Sequence, residues 1–180
     1  MGTFNMHRPR TAVATVVVVT LLAGATAVLA HATVPGKNGR IAFKRYLDSP
    51  RSTGAIFTID ANGTAERQVT KPEPGVVDDQ PDWSPDGKLI LFRSNAGGAA
   101  QSQIYVVRPN GSDVRPLTCF KPGTTVLSYS FSADGKWITF AKSGRGGEPD
   151  IFVMRANGAD IRPVTRSALW DSAPDWGAAG

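Results

Sequence analysis

The chain has 180 residues, of which 41% are hydrophobic and 19% charged, and this ordinary globular composition excludes a disordered protein. The first 32 residues carry two of the twenty basic residues and none of the fifteen acidic ones, so eighteen basic and fifteen acidic residues remain after them. This small excess contains no run of Lys or Arg and argues against a nucleic-acid partner.

The N-terminus has the layout of a secretory signal peptide. Arg8 and Arg10 precede an apolar run from Thr11 to Ala30, and small residues follow at Ala30 and Ala32. We expect cleavage after Ala32, so that residues 1–32 are the signal peptide and residues 33–180 the exported part. The apolar run is also just long enough to span a bilayer, so an uncleaved leader would tether the protein to the membrane. The predicted location is therefore the periplasm, the cell envelope or the medium.

The region that follows consists of three copies of one unit. "GRIAF", "GKLILF" and "GKWITF" are each followed by "AIFTIDANG", "QIYVVRPNG" or "DIFVMRANG", and then by "AERQVT", "DVRPLT" or "DIRPVT". Gly63, Gly111 and Gly158 are 48 and 47 residues apart, close to the period of propellers and similar arrays. The units cover approximately residues 36–84, 85–132 and 133–177.

Each unit predicts four short strands and no helix. The runs Ile104–Val107 and Ile151–Met154 are apolar, rich in β-branched residues and too short for helices. An Asn-Gly pair follows this strand in every copy, which predicts a type I′ hairpin because both residues tolerate positive φ. Asp86-Gly87 and Asp134-Gly135 predict a second hairpin.

These residues carry a family resemblance. "PDWSPDGK…LF…IYVV…NGSDVRPLT" resembles a blade of the TolB-type, WD-repeat-like β-propellers, and the resemblance extends from Gly36 to Gly177. It implies an all-β fold of four-stranded antiparallel blades, each with the "PDW" segment in its innermost strand. The second copy departs from the pattern, with Ser128 to Phe131 where Pro and Trp are expected.

The number of copies is unusual for such a fold. Propellers close with about four to eight blades, because each blade packs on both neighbours. Three blades make a partial ring or half of a six-bladed ring. We therefore expect a homodimer that closes one ring, in which the "APDW" strand of each chain completes the first blade of the other. The alternative is a truncated or degenerate propeller fragment without an independent role.

Most catalytic equipment is absent from the sequence. The histidines, His7 and His31, both lie in the leader, which excludes a Ser-His-Asp triad and a His-ligated metal site from residues 33–180. Cys119 is the single cysteine, so no internal disulfide forms, and we expect it to be a small buried side chain. No cofactor is expected. Carboxylates could serve a glycosidase-type pair, although no spacing singles one out.

Binding residues are expected on the long connections between strands, which share one face of an antiparallel blade. Asp78, Asp79 and Asp82 precede Trp83, as Asp171 and Asp175 precede Trp176. They could form a carboxylate collar that holds a cation or a basic peptide. The favoured alternative is that they cap strand starts and keep edges soluble, because the second copy has Val126, Leu127 and Ser130 instead. Trp170 lies in a long loop outside the aromatic pattern and is a candidate partner contact.

The sequence thus predicts an exported, non-catalytic β-propeller scaffold that binds a protein or a cell-envelope component. The resemblance implies the same, because the named member of the TolB family is a periplasmic protein acting through protein contacts in an envelope-spanning complex. A carboxylate-based, carbohydrate-active enzyme is the enzymatic alternative. Similar propellers also gate serine oligopeptidases, but such a domain needs its hydrolase on the same chain.

Overall fold

The computed structural model describes residues 38–98, 101–144 and 147–177, and the predicted leader lies outside these ranges. The described residues form eleven strands in three antiparallel sheets. They contain no helix, and so none that is long and apolar enough to cross a membrane. The all-β prediction is confirmed.

The strands follow one another through the three sheets in chain order. The first sheet contains β1 (Ile41–Tyr46), β2 (Gly54–Ile59) and β3 (Arg67–Gln68), and the second contains β4 (Asp78–Trp83), β5 (Ile90–Ser94), β6 (Gln103–Val107) and β7 (Arg115–Pro116). The third contains β8 (Thr125–Phe131), β9 (Trp137–Ser143), β10 (Asp150–Arg155) and β11 (Arg162–Pro163). The second and third sheets have the predicted four strands, whereas the first has three within the described residues.

The sheets stack face to face through two apolar cores, because successive side chains of a strand point to opposite faces. One face of the second sheet, with Ile90, Phe92 and Val107, packs on Ile56 and Val69 of the first sheet. The opposite face packs on the third sheet through Leu91, Ile104, Val106, Ile138, Phe140 and Met154. The recurring Phe92 and Phe140 therefore serve the packing between sheets, as their spacing predicts.

The two outer faces of the stack carry aromatic residues covered by arginines. On the first sheet Phe43 and Phe57 stack with ring centroids 5.8 Å apart, and the guanidinium of Arg45 lies over both rings. On the third sheet the guanidinium of Arg155 lies 4.1 Å from the ring of Trp137. Cation–π contacts of this kind leave a charged group towards water and an apolar ring beneath it.

The hairpins after β2, β6 and β10 differ from the predicted type I′ turns. Gly63, Gly111 and Gly158 have φ near +85°, but the preceding asparagines are absent from the residues with positive φ. In the first hairpin the Gly63 amide donates to the carbonyl of Asp60, and the Asp60 amide donates to the carbonyl of Thr64. These bonds enclose a three-residue loop that ends in a left-handed glycine. The asparagine accepts a bond from the amide two residues ahead, as Asn62 does from Thr64.

A threonine ties the outermost strand of every sheet to its neighbour. The backbone amides of Ile56, Ile104 and Ile151 donate to the hydroxyl oxygens of Thr70, Thr118 and Thr165, each at 2.9 Å. The Thr118 hydroxyl in turn donates to Gln103 at 2.8 Å. These bonds satisfy buried backbone amides beyond the short last strand, and they explain why every unit ends in "VT" or "LT".

Cys119 is exposed, contrary to the expectation that it is buried. It follows the buried Leu117 and Thr118, just past the end of β7 at Pro116. The alternation of inward and outward side chains ends with the strand, so the residue after Thr118 turns towards water.

Candidate functional site: the long-connection face

The antiparallel strands place the connections of each sheet alternately at its two ends. Residues 47–53, 69–77, 95–98, 101–102, 117–124, 147–149 and 164–170 lie at one end, which we call the long-connection face. Neighbouring connections there are hydrogen-bonded, for example Gly54 N to Val76 O at 3.0 Å and Ser102 N to Thr124 O at 3.2 Å. The short turns lie at the opposite end, where Pro85 and Asp86 of one turn line a shared pocket with Ala133 and Asp134 of the next. The predicted sorting of the loops is confirmed.

A polar cleft opens on the long-connection face between the second and third sheets. It has a volume of about 420 Å³ and includes Asp79, Arg93, Asn95, Ser102 and Thr125 in its lining. Its walls are fixed by side-chain bonds to the backbone, since Asn95 accepts from Val77 N at 2.7 Å and Ser102 accepts from Val126 N at 2.8 Å. The cleft is therefore a preformed polar surface.

The floor of this cleft is the ion pair between Asp79 and Arg93. Arg93 Nε donates to Asp79 Oδ1 at 2.8 Å and Nη2 donates to Oδ2 at 2.6 Å. Arg93 Nη1 also donates to the carbonyl of Val126 at 2.9 Å, which joins the second sheet to the third. The hydrogen bonds that Arg93 donates to Asp79 raise the pKa of Arg93 above its ordinary value. Both oxygens of Asp79 are thus bound, and the carboxylate fixes the guanidinium of Arg93, whose bond to Val126 joins the two sheets.

Tyr129 supports the same strand from the third sheet. Its hydroxyl donates to the carbonyls of Asp79 and Gln80 in β4. Burial, assisted by the nearby charge of Asp79, holds the pKa of Tyr129 well above its ordinary range, so the phenol stays protonated. Gln80 has φ of +52°, and the β4–β5 pairing shifts register between Asp79 and Asp82. Tyr129 therefore caps the carbonyls freed by a bulge in the innermost strand.

Asp78 and Asp82 flank Asp79 in β4, and their carboxyl groups also accept hydrogen bonds. Burial raises the pKa of Asp78, while hydrogen bonds from Ser94 and Thr70 oppose the rise. Asp82 Oδ2 accepts from the amide of Phe131 at 3.1 Å, and burial again raises its pKa. Both carboxyls bind neighbouring strands, which agrees with the capping interpretation of these residues.

The corresponding residues near the end of the chain lie against β8. Asp175 Oδ1 accepts from the hydroxyl of Ser130 at 3.0 Å, and the amide of Ala173 donates to Ser128 at 3.1 Å. The Asp171 amide donates to the carbonyl of Pro149 at 3.0 Å. Asp175 also helps to raise the pKa of Asp82. The five aspartates are therefore divided among separate contacts, and no group of three His, Cys, Asp or Glu residues in the described part of the chain could hold a metal ion.

Trp170 belongs to a fixed loop on the long-connection face. The amide of Ser167 donates to Asp150 Oδ1 at 3.0 Å, and the amide of Leu169 donates to the Ser167 hydroxyl at 2.9 Å. The bond from Asp171 to Pro149 holds the other end of the loop. Leu169 is 74% exposed and Trp170 is 61% exposed. Two large apolar side chains are thus held outward by a pinned backbone.

A larger groove runs between the first and second sheets. Its volume is about 650 Å³, and Val69, Lys71, Phe92, Tyr105 and Val114 are among its lining residues. Burial raises the pKa of the Tyr105 phenol in this groove, with a contribution from Asp78. Val69 and Phe92 belong to the apolar core between these sheets, while most of the remaining lining residues are polar or lie in loops.

Sequence reasoning missed Arg93 and Ser130, which bind the carboxylates of Asp79 and Asp175, and Tyr129, which binds the backbone carbonyls of Asp79 and Gln80. A weak signal existed, since a basic residue follows the recurring phenylalanine in the first two copies, as Lys44 and Arg93. Tyr129 and Ser130 occupy the positions of the departure from the "PDW" pattern. The segment that departs from the pattern is the one through which the third sheet contacts the second, by the bond from the Tyr129 hydroxyl to the carbonyl of Asp79.

No family model matches the chain. Dipeptidyl-peptidase 5 of Porphyromonas gingivalis is 37% identical to it over 51 residues, which are 28% of this chain and 7% of that protein. An oligogalacturonate lyase solved in complex with manganese has a TM-score of 0.51 and 22% identity, covering 62% of this chain and 29% of the lyase. A protein assigned as TolB from Agrobacterium tumefaciens has a TM-score of 0.61 and 22% identity over 76% of this chain. The match covers 50% of that protein, so the chain spans about half of its length. The three sheets have the fold of a TolB-type β-propeller.

Proposed function

We propose that this protein is an exported, non-catalytic β-propeller scaffold that binds another protein or a cell-envelope component through its long-connection face. The leader pattern of residues 1–32 supports export to the periplasm, the cell envelope or the medium. The TolB-type fold supports a rigid scaffold that presents loops.

The observation that carries the proposal is the pinned loop with Leu169 and Trp170. Large apolar side chains on a preorganised backbone are typical anchors of protein interfaces, because binding them costs little ordering of the chain. The polar cleft on the same face offers further polar groups in Asn95, Ser102 and Thr125, and its charged residues Asp79 and Arg93 pair with each other. A peptide backbone or a polar side chain of a partner has matching chemistry.

The geometry offers little support for a carboxylate-based enzyme. A general base needs a carboxylate oxygen free to accept a proton from its substrate, and both oxygens of Asp79 are bound by Arg93. The lyase likeness concerns the fold alone. Turnover of polygalacturonate or of glycoside substrates by the purified protein, lost on Asp79→Asn, would contradict the non-catalytic role.

The binding role is tested with immobilised purified protein and a cell-envelope extract. We expect Trp170→Ala to lower the retention of the bound partner about 10-fold or more, which is the loss typical of a central aromatic anchor. Ile161→Ala is the matched control, because Ile161 is also exposed but belongs to a turn at the opposite end of the sheets. Equal retention by the wild type and both variants would contradict the proposed binding face.

A further inference from the structure

The first sheet and the segment Asp171–Trp176 each have an edge that the described residues leave unpaired. β1 corresponds to β5 and β9 in the repeat, and those strands pair with the inner strands β4 and β8. Within the described residues β1 has no such neighbour. An unpaired strand edge is a template for pairing with another chain.

The segment Asp171–Trp176 already has the conformation and the position of an inner strand. Ala173 has φ of +55°, and Gln80, which stands in the same place before its tryptophan, has φ of +52°. Ala173 and Asp175 contact β8 through Ser128 and Ser130, much as β8 contacts β4 through Tyr129. The segment therefore lies where the next sheet would begin, and no strand among residues 38–98, 101–144 and 147–177 pairs with its outer side.

The two open edges cannot meet within one chain. They belong to opposite ends of the row of sheets, because β4 lies against β1 and β8 lies against β4. A second copy of the chain offers each edge its partner. We propose that two copies pair reciprocally, with Asp171–Trp176 of each copy added to β1 of the other, so that six sheets enclose one ring.

The repeat gives the register of this pairing. In the second sheet Asp78 pairs with Ser94, Asp79 with Arg93 and Trp83 with Ile90. In the repeat, Phe43 corresponds to Phe92 and Trp176 corresponds to Trp83. The same register therefore places Asp171 opposite Arg45, Ser172 opposite Lys44 and Trp176 opposite Ile41. The segment carries two carboxylates, and β1 carries two cations and no carboxylate. Arg45 also pairs with Glu66 of its own chain, so the complementary charge of the β1 edge is that of Lys44 together with a shared Arg45.

Exposed apolar side chains are concentrated at the same two edges. Of the eight large hydrophobic residues exposed in the described part of the chain, five lie there: Ile41, Tyr46, Leu47, Leu169 and Trp170. Ile41 is 52% exposed, and the register puts Trp176 over it. Lys44 Nζ donates to the hydroxyl of Tyr46 at 3.2 Å and lies 3.9 Å from Asp79 Oδ2, so its present contacts are with the first two sheets of its own chain. The pairing covers Ile41 in both copies and leaves Trp170, which precedes the paired segment, accessible. A reciprocal pair is closed, as stable homodimers are.

The first test is the mass of the purified protein in solution at about 10 µM, a concentration at which a specific dimer is populated. Light scattering is expected to give twice the mass of one chain. The mass of one chain overturns the proposal.

The second test examines the register with single-cysteine proteins in a Cys119→Ser background. Lys44→Cys and Ser172→Cys are prepared separately, mixed and oxidised. We expect a covalent dimer, because cross-strand neighbours have the Cα separation that a disulfide requires. Lys44→Cys mixed with Ala168→Cys is the control and is expected to stay uncross-linked, since residue 168 lies outside the paired segment.

A dimeric mass without the cross-link between residues 44 and 172, or with equal cross-linking of the control, would also overturn the proposed pairing. Circular dichroism shows whether each variant keeps the β-sheet fold. Trp170→Ala serves to separate this inference from the proposed partner binding, because Trp170 is outside the paired segment. It is expected to reduce partner retention and leave the dimeric mass unchanged.

Discussion

Replacing Asp79 by alanine should destabilise the protein strongly, because it leaves a charged guanidinium between two sheets without its partner. The Asp79 side chain is 11% exposed and that of Arg93 is 25% exposed. Removing one partner of a fully buried ion pair costs about 3–5 kcal/mol. Since Arg93 keeps some contact with water and its bond to Val126 O, we expect a loss of about 3 kcal/mol. That loss corresponds to a fall in Tm of about 6–12 °C for a chain of this size.

Urea unfolding followed by circular dichroism measures this loss. The matched control is Asp60→Ala, which breaks the exposed pair with Arg40 and should cost at most about 1 kcal/mol. The double variant Asp79→Leu/Arg93→Met should recover much of the loss, because no charge is then left unpaired. If Asp79→Ala and Asp60→Ala lower the stability equally, Asp79 is not a structural carboxylate. The hypothesis of a carboxylate collar that binds a cation or a basic peptide is then favoured.

Three further substitutions test the packing of the sheets. Thr118→Val removes the acceptor of a buried backbone amide and should cost about 1–3 kcal/mol of unfolding free energy, measured in urea; a loss below 0.5 kcal/mol would refute the threonine link. Gly158→Ala should lower Tm more than Gly75→Ala, because both glycines have positive φ but only at Gly158 would the new Cβ lie 2.4 Å from a backbone oxygen, that of Leu117; equal shifts would contradict the contact between turn and sheet. Asp82→Asn should gain stability relative to the wild type as pH rises above about 4, because burial raises the folded-state pKa of Asp82 above its unfolded value. The folded wild type then holds its proton longer than the unfolded chain and loses stability with rising pH in that window, so a difference independent of pH would refute the assignment.

The fold could be predicted from the sequence because its information is local and repeated three times. Short runs such as Ile104–Val107, each stopped by a turn signal, fixed both the type and the order of the strands. The predicted type I′ turn at the Asn-Gly pairs is wrong, because the pair alone does not determine how many residues the hairpin loop contains. The bonds between Asp60 and Thr64 enclose three residues, and only the last, Gly63, needs a left-handed conformation.

The chemistry of the site was harder to predict because it depends on contacts distant in sequence. Asp79 meets Arg93 fourteen residues later, and Tyr129 reaches β4 from fifty residues away. A register shift in β4 decides which aspartate faces which neighbour, and composition carries no sign of it. The exposure of Trp170 was easier to anticipate, since it interrupts the repeat and has no counterpart in the other copies. Its role as a partner contact stays a prediction.

The central claim is that the three sheets pack face to face as one cooperative platform. A double-mutant cycle between Leu91 of the second sheet and Phe140 of the third tests it most directly, since both belong to one apolar core. We expect a single unfolding transition and a coupling energy of about 1 kcal/mol or more between the two alanine substitutions. Additive losses, or separate transitions for separate sheets, would contradict the account.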